Sequence, residues 1–253
     1  MIQSIESFLP YRDEAVEVFV NIATYMDSLA SRTVIHRFFE QINPYMHRPE
    51  SVSRYREWDW DNFRFLVHEL FLYAVASFIR HERFESAAFL MTNDYYVLTG
   101  SRSGPDQMVS FVEFRSPIRS LEDRNRRLQL RRLSLRADIL RERCKHVGIE
   151  FRHLMQADFV LFLRSRLEKT GRMMGWWPET LLFSHQGPFE VFARSRSKAY
   201  FDRVKVLLGI DEKNALASLF EEFAKNTQYF PHWQYESFDP ISLIGFNDLS
   251  TKP

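Results

Sequence analysis

The chain has a single cysteine, Cys144, among 253 residues. One cysteine excludes an internal disulfide and any zinc site built on several thiolates. Glycine is scarce too, with eight residues. None of them sits in a G-x-x-x-x-G-K-[ST] or G-x-G-x-x-G pattern, so neither kind of phosphate-cradling loop is present. The stretch GSRSG, from Gly100 to Gly104, puts Arg102 where a nucleophile elbow needs serine. The longest run of apolar or small residues, Leu70 to Ile79, is ten residues and too short to cross a bilayer as a helix. The opening residues, MIQSIESFLPYRDEAV, lack a basic segment followed by an apolar core, which predicts no secretory signal. Together these absences predict a soluble, cytoplasmic protein with no membrane partner, no cofactor and no metal.

Apolar side chains make up 45% of the chain and aromatics 15%, enough for a dense core and too much for a disordered protein. Net charge is only +1, yet 27 of the 34 basic residues are arginine. Either base composition of the gene or a need for planar, bidentate donors to phosphate or carboxylate produces that bias.

The first ninety residues read as helices. Val16, Phe19, Val20 and Ala23 recur at helical spacing between Glu14 and Ala30, and Val34, Ile35, Phe38, Phe39 and Ile42 form a second segment ended by Pro44. The strongest helix runs from about Trp60 to Arg80, with Asp59 or Asp61 as its cap. It is apolar on nearly all sides, as the central helix of a bundle would be. A shorter helix covers about Phe84 to Met91. Character changes at Tyr95: YYVL and MVSFVEF read as short strands around a turn-rich stretch. FRHLMQADFVLFLRSRL is open between helix and strand, ETLLFS reads as a strand, and helices are expected near 188–208 and 212–225, the first ended by Gly209. The final 28 residues are rich in aromatics and predict a strap folded back on the body. The predicted fold is mainly α with a small β component (α+β), a helical bundle followed by a mixed half. It is read as one domain over 1–253, with a subdivision into 1–92 and 108–253 left open.

Between Arg119 and His146 stand nine Arg and one Lys against four acids, about +6 in a chain of net +1. Such a face attracts phosphate backbones by counterion release. On a helix at 100° per residue, however, the arginines divide into two strips between two apolar sides. One strip holds Arg124, Arg127, Arg131 and Arg141, the other Arg132, Arg136 and Arg143. A groove-reading helix would show one apolar and one basic side. The segment therefore reads first as internal ion pairing, then as nucleic-acid contact through Arg124, Arg127, Arg131 and Arg132, then as a docking face. The alternation RLQLR-RLSLR also leaves a strand reading open over 127–136.

Catalytic patterns are thin. Arg141 and His146 match the Arg-x4–6-His spacing of HEPN ribonucleases, but composition alone scatters more such matches than this. Glu150 and His153 have the i, i+3 spacing of di-iron bundles without the second pair those sites need, so capping or surface roles come first. His36 and Glu40 are placed to face each other on one helix side. His68 lies inside the most apolar helix, as a core histidine or the lining of a pocket. Asp158, Glu168 and Glu179 faintly resemble a nuclease core but lack its Glu-x-Lys element. Adjacent Trp176 and Trp177 point to different sides, so with Trp233 they are candidate partner-binding residues.

The stretches NFRFLVHELFLYAVASFIRHERFESAAFLM, RLSLRADIL, LMQADFVLFLRS and WWPETLLF resemble uncharacterised bacterial proteins, some of which look like the companion region of TIR-type or other anti-phage defence proteins. The resemblance spans roughly 35–245. It carries no catalytic motif, and no TIR-like segment is visible. It implies a non-catalytic accessory or adaptor subunit acting by protein–protein interaction in a bacterial defence complex. A nucleic-acid-binding protein and a nuclease-type hydrolase are the alternatives.

Overall fold

The structure is a computed structural model describing residues 1–97, 108–144, 148–168, 175–184, 187–225, 232–233 and 236–253. It is mainly α-helical with two small two-stranded β-ribbons. Helices α1 (Ile2–Ser7), α2 (Leu9–Tyr25), α3 (Leu29–Ile42), α4 (Asp61–Arg80) and α5 (Phe84–Thr92) build the first half. α2 begins five residues before Glu14, because Pro10 occupies the first turn, where its missing N–H costs nothing. It stops at Tyr25, and Ser28 starts a new helix by accepting a hydrogen bond from the Ser31 N–H at 3.2 Å. Neither Asp59 nor Asp61 caps α4. Asp59 accepts from the Arg56 N–H at 2.8 Å. Asp61 is buried and takes the Ser120 N–H at 2.7 Å and the Arg64 guanidinium at 2.9 Å.

The core runs from Ile5 to Leu249 as one hydrophobic cluster. Its axis is α4, which packs on α2, α5 and, from the second half, α8 (Phe151–Leu167). Among the described residues α4 is the one helix long and apolar enough to cross a membrane, and 78% of that stretch is buried within the protein, as in a core helix. Phe71 anchors an aromatic knot, its ring centroid 5.0 Å from Phe39, 4.9 Å from Phe114 and 5.9 Å from Trp176. These are the tilted and edge-on arrangements that ring quadrupoles favour.

One strand expectation holds only at its start and another fails. The ribbon of β1 (Tyr95–Tyr96) and β2 (Met108–Val109) pairs Tyr95 with Val109, but MVSFVEF then coils into a 3-10 turn over Phe111–Arg115. Phe111 and Phe114 both face the core, a three-residue repeat that a strand cannot supply. ETLLFS is likewise a 3-10 turn, Glu179–Phe183, because the Thr180 N–H is taken by the Asp158 carboxylate rather than by a neighbouring strand. The open FRHLMQADFVLFLRSRL is helix α8. Its start is a capping box in which Glu150 and His153 bond reciprocally, the capping role expected of that pair.

The arginine-rich stretch is two helices, α6 (Arg119–Arg127) and α7 (Leu135–Arg143), not one. Asn125 breaks it by holding both the N–H and the carbonyl of Arg132, at 3.1 and 2.6 Å, while Gln129 and Arg131 turn left-handed. The helix expected over 188–208 is also divided, into α9 (Glu190–Arg194) and α10 (Lys198–Leu208). Between them, Ser195 and Arg196 carbonyls accept from Ser250 and Lys252 of the C-terminal segment, at 2.8 and 2.9 Å. α10 ends at left-handed Gly209, as read from the sequence; a Cβ there would also strike the Arg164 guanidinium at 2.1 Å. α11 (Asn214–Lys225), the β3 (His232–Trp233) and β4 (Glu236–Ser237) ribbon and α12 (Pro240–Ile244) complete the chain. Phe238 packs on Phe159 and Phe162, which folds this part of the aromatic strap against α8. Tyr229, Phe230 and Tyr235 lie outside the described residues.

α7 is fixed to the body by a buried charge cluster. Arg143 grips Glu69 of α4 with two bonds of 2.9 and 3.0 Å and reaches Glu6 of α1 at 3.1 Å. Arg12 of α2 donates to the Arg143 carbonyl and to the Tyr73 hydroxyl, both at 3.0 Å. Removing one partner strands a buried charge, which costs about 3–5 kcal/mol. Glu69→Gln is therefore expected to lower the unfolding free energy in urea by roughly that amount, whereas exposed Arg126→Ala stays within about 0.5 kcal/mol of the parent. Equal effects of the two changes would contradict the assignment.

Candidate binding site on the arginine-rich arm

α6, the turn 128–134 and α7 form an arm with two chemically different sides. Ser134 starts α7 by accepting the Ala137 N–H at 3.0 Å. From there Arg136 and Arg143, seven residues apart and about 20° apart around the helix, both face inward. The strip containing them is the paired one. Arg132 is held bidentate by Asp138, at 2.7 and 2.7 Å, which raises its pKa. Arg136 approaches Glu179 and Arg143 grips Glu69. On the other strip, Arg124, Arg127 and Arg131 have no carboxylate partner among the described residues, and Arg141 lies 4.6 Å over the Phe183 ring. The phase analysis thus separates paired from unpaired arginines, although the helix it assumed is broken. Of the four residues proposed for phosphate contact, Arg124, Arg127 and Arg131 have no carboxylate partner among the described residues, and Arg132 is exposed but paired with Asp138.

The turn between the helices carries an exposed apolar group. Leu128, Leu130 and Leu133 are 42%, 39% and 43% exposed, between Arg126, Arg127 and Arg131 at the surface.

Under the inner side lies a buried polar network. Asp158 of α8 is fully buried and accepts the Trp176 indole N–H at 2.6 Å, the Thr180 N–H at 2.9 Å and the Thr180 hydroxyl at 2.7 Å. Burial raises its pKa, and the Thr180 and Trp176 bonds partly offset that. Glu179 takes the Arg115 guanidinium on one oxygen and the Ser134 hydroxyl, at 2.5 Å, on the other. Burial pushes Glu179 up, but Arg115 and Arg136 hold it below its ordinary value. Arg136 donates to the Ser116 carbonyl at 2.6 Å and stands 3.9 Å from Glu179. His68 is enclosed against Trp176, ring centroids 5.3 Å apart, with neither ring nitrogen hydrogen-bonded. Its pKa falls well below 6.5, first from burial and then from Arg136 and Arg115.

Above this network the arm overhangs a cleft of about 890 Å³. Its charged lining is Glu113, Arg115, Glu122, Arg136, Arg166 and Glu179, and Leu121, Leu135, Trp177 and Trp233 stand among its apolar walls. The tryptophans proposed to meet a partner therefore separate. Trp176 is fully enclosed and bonded to Asp158, so it presents no surface; Trp177 and Trp233 are half-buried in the cleft wall. His68 is a core histidine beneath the cleft rather than part of its lining. His36 faces Glu40 at 3.8 Å and stacks on Tyr95 at 4.2 Å. Asp158 and Glu179 belong to one network, while Glu168 is paired with Arg164 at 2.6 Å. His146 and the Gly100–Gly104 stretch lie outside the described residues. Among the described residues no group of three His, Cys, Asp or Glu side chains is placed to hold a metal. Sequence reasoning missed Arg115 and Asn125. Asn125 carries a signal in hindsight, a short amide side chain preceding a turn by a few residues; Arg115 carries none.

No protein-family model, curated protein or solved structure matches this chain.

Because His68 is neutral in the folded protein, the unfolded chain takes up a proton below about pH 6.5 that the folded chain refuses. Stability falls as pH drops, with this histidine contributing up to about 1.4 kcal/mol per pH unit. His153, lowered by burial and Arg80, adds the same sign, so the readout is a difference. Urea unfolding of His68→Phe between about pH 6.5 and 5 is expected to show a shallower loss than the parent. Identical slopes would rule out the role given to His68.

Proposed function

We propose that this chain is a non-catalytic adaptor that docks an acidic protein partner through the tip of the α6–α7 arm. The observation that carries this reading is the trio Leu128, Leu130 and Leu133, each about two-fifths exposed beside surface arginines. Grouped exposed apolar side chains are surface that a partner would bury, arginine is enriched at interfaces, and the arginines suit carboxylates opposite them. Leucine adds nothing to contact with a phosphate backbone, which favours a protein over a nucleic acid. The engagement of both Asp158 oxygens by Trp176 and Thr180 supports a binding rather than a hydrolytic role. The setting implied by the resemblance, an accessory subunit of a bacterial anti-phage defence complex in the cytoplasm, agrees with this reading.

A second reading, nucleic-acid binding, is favoured by the unpaired strip of Arg124, Arg127 and Arg131. Its signature is an affinity for single- or double-stranded DNA or RNA, measurable at about 50 mM salt and falling steeply as salt rises.

The test is co-expression with the products of adjacent genes, followed by size-exclusion chromatography. The parent chain is expected to co-elute with one of them, and the variant Arg127→Glu/Leu128→Asp/Leu130→Asp to elute alone with an unchanged melting temperature. Elution of the parent alone with every neighbour, or a complex that survives the triple change, would refute the proposal.

A further inference from the structure

Two guanidinium groups under the cleft share one carboxylate. Arg115 binds Glu179 directly and Ser134 occupies its other oxygen. Arg136 is left 3.9 Å away, beyond hydrogen-bond reach, with its Nη1 unpartnered, although the residue is only 4% exposed. Asp158 gives Arg136 no hydrogen bond, because its oxygens are taken by Trp176 and Thr180, and its charge, like that of Asp61, acts on Arg136 only from a distance. A buried cation short of an anion is costly, and the cost disappears when an anion is supplied. Burial, followed by the repulsion of Arg115, pushes the Arg136 pKa down to about 9, and Glu179, Asp158 and Asp61 offset only part of that. The N-terminus of α7 adds to it. Ser134, Leu135 and Arg136, its cap and first two residues, line the same cleft, where the helix dipole and free N–H groups favour negative charge.

The rest of the cleft is not an ion's cradle. Its volume of about 890 Å³ suits a ligand of drug-like size. Trp177 and Trp233 line its wall, as do Leu121 and Leu135. We propose that this cleft binds a small aromatic ligand bearing one oxyanion, a phosphate ester or a carboxylate, whose oxygens fill the place beside Arg136 that no carboxylate of the chain occupies. The ligand bridges the arm to the 111–118 and 175–179 segments. The site adjoins the protein-docking tip, since Leu133 belongs to both, but Leu128 and Leu130 do not line the cleft and Arg115, Arg136 and Glu179 stand on the inner side of α7.

Isothermal titration of the full chain with adenosine 5′-monophosphate, 2-naphthoate, adenosine and inorganic phosphate tests the proposal. At least one of the first two is expected to bind at least about tenfold tighter than both adenosine and phosphate, and which one binds distinguishes a phosphate ester from a carboxylate. Arg136→Met is expected to abolish binding. If that variant fails to fold, Glu122→Lys decides: Glu122 is an exposed acid on the cleft rim, and reversing its charge is expected to tighten binding about threefold at low salt. Absence of heat from both anions up to about 1 mM, equal affinity for adenosine, or no gain from Glu122→Lys would overturn the proposal.

Discussion

The bidentate pair between Glu69 and Arg143 is the constraint on which the rest of the arrangement depends. Glu69 lies fully buried in the middle of the central helix α4, where a charge persists only if it is met by one. Arg143 meets it at 2.9 and 3.0 Å, and Arg12 steadies the Arg143 carbonyl. Four helices, α1, α2, α4 and α7, therefore converge on Arg143. Fixing Arg143 fixes the rotation of α7. Arg136, almost in phase with it, is thereby carried under the cleft and over the Asp158–Glu179 network. Arg141 is turned outward by the same rotation.

This division gives one arginine-rich segment two uses. Inward arginines replace apolar packing with directional bonds to acids far away in sequence, a use for which a planar guanidinium is suited and an ammonium is not. Outward arginines sit beside leucines that an isolated globular protein would have reason to bury. The seam between the two sides is the cleft, with tryptophan walls and an arginine short of its counter-ion.

Much of the helical frame was legible in the sequence, because α3, α4 and α5 rest on local periodicity and α10 on a local cap, Gly209, whereas α8 stayed open between helix and strand. The short strands failed for a physical reason. MVSFVEF and ETLLFS have strand-like composition, but Phe111 and Phe114 are drawn into one aromatic knot and the Thr180 N–H into a carboxylate, and these tertiary demands override propensity. Helical phase sorted paired from unpaired arginines even across the break at 128–134, since each helix keeps its own face. It could not name the partners: Glu69 lies 74 residues from Arg143, and Glu179 lies 64 from Arg115. Adjacency likewise showed that Trp176 and Trp177 part ways, without showing that Asp158 claims the first.

The most direct test of the central claim is a double-mutant cycle across Glu69 and Arg143, using Glu69→Gln, Arg143→Met and their combination, read by urea unfolding. A coupling energy above about 2 kcal/mol is expected, because each single change strands the other charge in the core and the pair of changes does not. Coupling below about 0.5 kcal/mol, with the single losses simply adding, would mean that the two side chains do not hold each other and that something else orients α7.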